Sequence, residues 1–149
     1  MKLDLTVLRY MSKEEFRVLT AIEMGMKNHD QVPIELIDQI SGLKCGGTHK
    51  IISLLAKNKL LHHENKKYDS YRLTTQGYDH LALKALSNRD SVTAFGKQIG
   101  VGKEADIFVA TNYDQEALCV KIHRLGRTSF RAIKNQRDYL RNRRSSPSW

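Results

Sequence analysis

A chain of 149 residues, 40% hydrophobic and 28% charged, can bury the core of one ordinary domain or of two very small ones. It has no window of the ~18 uncharged apolar residues a membrane span needs, and Asp4 stands where a secretory leader is apolar, so a cytoplasmic or nuclear setting is expected. The net charge of +9 is concentrated: residues 1–120 carry 16 Lys and Arg against 15 acids, residues 121–144 nine against Asp138 alone, a block suited to phosphate or to a solvated tail.

In chain order, Ser12-Lys13-Glu14-Glu15 forms a capping box. Phe16, Leu19, Ile22 and Met26 follow at helical spacing and predict a first helix. Pro33 suits the first turn of a second, with Leu36, Ile37 and Ile40 on one face and Gly42 as its stop. Gly46-Gly47-Thr48 precedes a third, whose apolar positions are Ile51, Ile52, Leu54 and Leu55. Leu60-Leu61-His62-His63-Glu64 and residues 68–74 are two short β-like runs around a lysine-containing turn. A fourth helix is expected from Thr75, with Tyr78, Leu81, Ala82 and Leu86 as its apolar face.

Three helices, a hairpin and a further helix make a winged helix over residues 1–90, a variant of helix-turn-helix. Its third helix would present His49, Lys50 and Lys57, and its wing Lys66 and Lys67. That is a thin basic surface for a DNA reader, and such domains also bind protein or act as scaffolds. The histidines read as surface or helix-end residues. His62 and His63 are adjacent, so a strand points them to opposite faces and no shared metal is expected. Cys45 and Cys119 lack metal-ligand spacing and read as reduced, semi-buried residues.

Asn88-Arg89-Asp90-Ser91 is a polar junction, and residues 91–149 form the second part. Val92, Phe95, Ile99, Ile107-Phe108-Val109-Ala110 and residues 118–122 read as strands, with a turn at Asn112-Tyr113-Asp114-Gln115. Between the first two lies Gly100-Val101-Gly102-Lys103-Glu104-Ala105. Three phosphate-binding patterns compete for it. A P-loop needs Ser or Thr after Gly-Lys, and Glu104 stands there. Gly100-x-Gly102-x-x-Ala105 matches a dinucleotide fingerprint in letters, but that motif opens a helix, whereas this one leads into a β-run. A strand–glycine loop–strand followed by a strand lysine, Lys121, is the pattern of a kinase nucleotide hairpin.

Gly100-Val101-Gly102-Lys103-Glu104-Ala105-Asp106-Ile107, followed by Val120-Lys121-Ile122-His123-Arg124-Leu125-Gly126-Arg127-Thr128-Ser129-Phe130-Arg131, closely resembles the RIO family of atypical serine/threonine protein kinases. The preceding winged helix narrows the resemblance to its second, Rio-two, branch, and the similarity covers the whole chain. Ala105 departs from the family, which often has a serine able to contact a phosphate oxygen there; the missing hydrogen bond is worth roughly 1 kcal/mol.

The resemblance implies an α+β chain, a winged helix followed by an incomplete kinase-like N-lobe sheet. It implies ATP- and Mg2+-dependent phosphoryl transfer or ATP hydrolysis in a factor of small ribosomal subunit maturation. On this chain, the backbone of Val101, Gly102, Lys103, Glu104 and Ala105 with the Lys103 side chain would cradle the phosphates. Lys121 would pair with the α/β-phosphates, and Ile99 and Ile107 would cover the adenine side. Arg124, Arg127, Arg131, Lys134, Arg137 and Arg141 would meet rRNA phosphate. The catalytic base and the magnesium ligands would lie beyond Trp149 in the family pattern, so this chain by itself is expected not to phosphorylate and to hold ATP weakly. Two readings of other classes stay open: a non-catalytic module docking on RNA or a ribosomal protein, and a DNA-binding regulator.

Overall fold

The computed structural model describes residues 5–44, 47–102 and 104–124; for Thr6 it describes the backbone alone. The chain divides into two compact units, Met1–Leu86 and Ser87–Trp149.

The first unit begins with α1 (Leu5–Tyr10) and α2 (Lys13–Gly25). The capping box is in place: the Ser12 hydroxyl accepts from the Glu15 N–H at 3.2 Å, and the Glu15 carboxylate accepts from the Ser12 N–H. Ser12→Ala is expected to remove about 1 kcal/mol of stability, read as a lower denaturant midpoint at unchanged slope. A two-residue strand β1 (Val32–Pro33) leads into α3 (Ile34–Ser41), which stops at Gly42 as anticipated. Then come α4 (Gly47–Lys57), the hairpin strands β2 (Leu61–Asn65) and β3 (Asp69–Leu73), and α5 (Thr75–Asn88). The sheet is antiparallel in the order β1-β3-β2. Phe16, Leu19 and Ile22 of α2 meet Ile37, Ile52, Leu55, Leu60 and Leu73 in one core, with Val32 sealed in from β1. The architecture is a winged helix.

Three expectations change. Two elements, α1 and β1, were not anticipated; Val7 and Leu8 of α1 pack on the core, and Val32 and Pro33 pair with Tyr71 and Ser70. Pro33 is the residue that caps α3 (φ −62°, ψ 148°) rather than a member of its first turn. The buried face of α5 is Gly77, Asp79, His80 and Leu83, whereas Tyr78 and Ala82 are exposed. Backbone approach, not apolar spacing, sets that rotation. A Cβ on Gly77 would lie 2.5 Å from the Leu60 carbonyl oxygen. The Thr74 hydroxyl locks the same junction, donating towards Lys59 O and Leu60 O and accepting from the Gly77 N–H at 3.2 Å. His80 is therefore fully buried, its Nδ1 2.8 Å from the Gln76 carbonyl oxygen, contrary to a surface reading of the histidines.

The second unit is an antiparallel meander of β4 (Ala94–Val101), β5 (Ala105–Thr111) and β6 (Ala117–His123). Its β5–β6 turn is closed by the Asn112 side chain, which accepts from the Glu116 N–H at 2.9 Å and donates to the Glu116 carboxylate at 2.8 Å. Phe108 and Ala110 are buried on one face of β5, and Ile107 and Val109 are half-buried on the other. The overall class is α+β, a winged helix followed by part of a kinase-like sheet.

Candidate nucleotide-binding hairpin

The glycine segment is the tip of the β4–β5 hairpin. Gly100 pairs with Ile107 and Val101 with Asp106, and the Gly102 N–H donates to the Ala105 carbonyl at 2.8 Å. A Cβ on Gly102 would sit 3.1 Å from that carbonyl oxygen, a tight contact that the turn could relieve only by shifting a few tenths of an ångström. Two register shifts interrupt β4 between Phe95 and Gly100, so the rising arm of the hairpin is irregular and the descending arm regular.

Ile107 in turn pairs with Lys121. Gly100, Ile107 and Lys121 thus form one row across three strands on one face of the sheet, placing the lysine about 10 Å from the glycine at ordinary strand spacing. Lys121 is exposed, and a Cβ on Gly100 would stand in ordinary contact with the Ile107 side chain, 3.6 Å from its nearest carbon. The row joins an ammonium to backbone that can be approached closely. Such a face can receive a polyphosphate on the lysine and an apolar ring on Ile107 and Val109.

Of the residues assigned from sequence, the row brings together Ile107 and Lys121, with Ala105 two pairs further along, opposite His123. Ile99, 57% exposed, stands at the β4 irregularity, outside that row. Val101, 71% exposed, shares a register pair with Asp106, so its side chain stands on the face opposite Lys121. Gly102 and the half-buried Glu104 form the turn. Lys103 lies outside the described residues, as do Arg127, Arg131, Lys134, Arg137 and Arg141.

Arg124 requires a correction. Read from sequence as the first member of a basic run that meets rRNA phosphate, it instead donates from Nε to the Asp106 carboxylate at 2.8 Å, with side-chain exposures of 9% and 3%. Burial of one charge demands the other beside it, and this removes Arg124 from the free basic surface. Asp106 was not singled out from the sequence. Its signal was an acid inside an otherwise apolar β-run, with an arginine at the end of the next strand. Cys119, read as semi-buried, is an exposed free thiol on the Lys121 face of β6.

Among the described residues no group of three His, Cys, Asp or Glu side chains converges as a metal site. The hairpin fits a nucleotide, then, but the described residues offer no ligand set for Mg2+. On the winged helix, Lys50 and Lys57 of α4 and Lys66 and Lys67 of the wing are exposed. Lys66 hydrogen-bonds Glu64, which holds the lysine above and the glutamate below its ordinary pKa, so part of the wing's charge is compensated locally. No helix among the described residues is long and apolar enough to cross a membrane.

Comparison with known proteins now decides the family. The family model described as Rio2, N-terminal, matches residues 8–89, more than half of the chain. This chain belongs to the Rio2 family. It is 56% identical over 149 residues to the serine/threonine-protein kinase rio2 of Dictyostelium discoideum, covering 100% of this chain and 28% of that protein. It is 48% identical to the serine/threonine-protein kinase RIO2 of Saccharomyces cerevisiae, covering 36% of it. The crystal structure of the Rio2 kinase–ADP/Mg2+–phosphoaspartate complex from Chaetomium thermophilum superimposes with a TM-score of 0.80 at 50% identity, over 95% of this chain and 42% of that one. The chain spans less than half the length of each of these Rio2 relatives.

Proposed function

We propose that this chain is the ATP-facing part of a Rio2-type serine/threonine kinase or ATPase acting in the cytoplasm on the maturing small ribosomal subunit. The observation that carries the nucleotide reading is the row Gly100–Ile107–Lys121, which sets an ammonium and a glycine backbone in register on one face of the sheet. That named relatives are kinases, and that one was crystallised with ADP and Mg2+, supports the same reading.

ATP, once bound, supplies the phosphoryl group. The chain's own residues bind and orient it. Lys121 holds phosphate oxygens, the backbone of residues 101–105 closes over them, and Ile107 with Val109 covers the base. An ammonium aimed at developing phosphate charge stabilises it most where water is excluded. The base and the metal ligands for transfer are assigned to the part of the protein that the relatives carry beyond the matched region. The block of positive charge after Lys121 suits rRNA phosphate, with Arg127 and Arg131, not Arg124, as its leading members.

A fluorescent ADP analogue titrated into the chain tests the nucleotide reading. The expected result is saturable binding displaced by ATP and not by a nicotinamide dinucleotide. Absence of saturable binding, or equal displacement by the dinucleotide, would contradict it.

A further inference from the structure

The Asp106–Arg124 ion pair lies on the other face of the sheet from Lys121. Asp106 pairs with Ile122, the neighbour of Lys121, and strand alternation sends the two faces apart. The pair cannot touch a nucleotide bound on the lysine face, yet it is the most buried ion pair among the described residues. Its surroundings indicate what it does. Beyond the last register pair, Ala105 with His123, the Arg124 N–H donates to the Glu104 carbonyl at 2.8 Å. Arg124 therefore grips the descending arm of the glycine turn twice, by its backbone at Glu104 and by its side chain at Asp106. Gly102 closes on Ala105 between these anchors. The rising arm, after two register shifts in β4, pairs with the descending one at Gly100–Ile107 and Val101–Asp106.

From these two anchors we infer that Arg124 is a positioning residue for the phosphate-binding turn, clamping Glu104 and Asp106 to the end of the lysine strand so that the turn and Lys121 keep one spacing. This rests on the nucleotide reading of the hairpin. A turn held from behind meets phosphate without being ordered first, and preorganisation of that kind raises affinity by lowering the ordering cost of binding. Because the clamp acts through the turn, it governs the phosphate end of the ligand and leaves the base end alone.

The test compares Arg124→Met, Arg124→Lys and the double variant Asp106→Leu/Arg124→Met with the parent chain. The double variant removes both charges, so no carboxylate is left buried alone if Arg124→Met fails to fold. Two readouts are taken: hydrogen exchange of the backbone amides of residues 102–106, and affinities for ATP and for adenosine. In Arg124→Met and the double variant, exchange at the turn should accelerate, ATP affinity should fall about tenfold, and adenosine affinity should stay within about twofold. Arg124→Lys, which keeps the charge, should recover part of the ATP affinity. Unchanged exchange at the turn overturns the clamp, as does equal loss of ATP and adenosine affinity, which would mark a merely structural role. If the parent chain binds no nucleotide, the functional reading fails, and the exchange readout alone then decides whether Arg124 holds the turn.

Discussion

Replacing Gly77 with valine is expected to destabilise the winged-helix unit by about 3 kcal/mol, the upper end of what overpacking a tight contact costs. The added Cβ would lie 2.5 Å from the Leu60 carbonyl oxygen and 3.1 Å from a Leu73 methyl. The first of these is backbone, held in place by the Thr74 N–H and hydroxyl, so neither side can yield cheaply. Alanine makes the sign of the argument visible. A helical Gly→Ala change ordinarily stabilises by up to about 1 kcal/mol, yet Gly77→Ala should destabilise, because the same Cβ must displace backbone. Thermal unfolding is the measurement: about 15 °C lost for valine, at roughly 5 °C per kcal/mol for a unit of this size. An alanine variant as stable as the parent would show that α5 does not approach Leu60 as described.

Lys121→Met carries the second large effect, on ligand and not on fold. Lys121 is exposed on β6, so its removal should leave the melting temperature within about 3 °C of the parent, as surface changes usually do. A charge-assisted hydrogen bond to phosphate contributes about 1.5–3 kcal/mol, so ATP affinity should drop roughly ten- to 100-fold. Lys121→Arg separates charge from shape: its planar fork keeps the charge but cannot take the place of a compact ammonium, and only part of the affinity should return. Equal ATP affinity in Lys121→Met and the parent chain would detach the lysine from the proposed site.

How far each element could be read from sequence follows the range of the interaction that fixes it. The start of α2 was legible because Ser12 and Glu15 satisfy each other within one turn. The hairpin tip was legible because Gly102 and its β-flanks form a local pattern, and the row Gly100–Ile107–Lys121 follows once three antiparallel strands take register. The rotation of α5 was not legible, since it depends on a backbone contact between Gly77 and Leu60, which no apolar spacing records. The strand β1 is two residues long and exists only because Tyr71 and Ser70 offer it an edge. Arg124 was misread for a related reason. In one dimension it belongs to a run of cations, and only the fold places the Asp106 carboxylate 2.8 Å from its Nε.

The claim on which the functional account stands is that the Lys121 face of the β4–β6 sheet receives nucleotide phosphate. Backbone-amide spectra of the isotope-labelled chain, recorded as ATP and Mg2+ are added, test it most directly. The account predicts that the largest shifts fall at Gly100, Gly102, Ala105, Ile107 and Lys121, and that they saturate together. Shifts confined to α4 and the wing strands β2 and β3, or no saturable shifts in the hairpin, would contradict it.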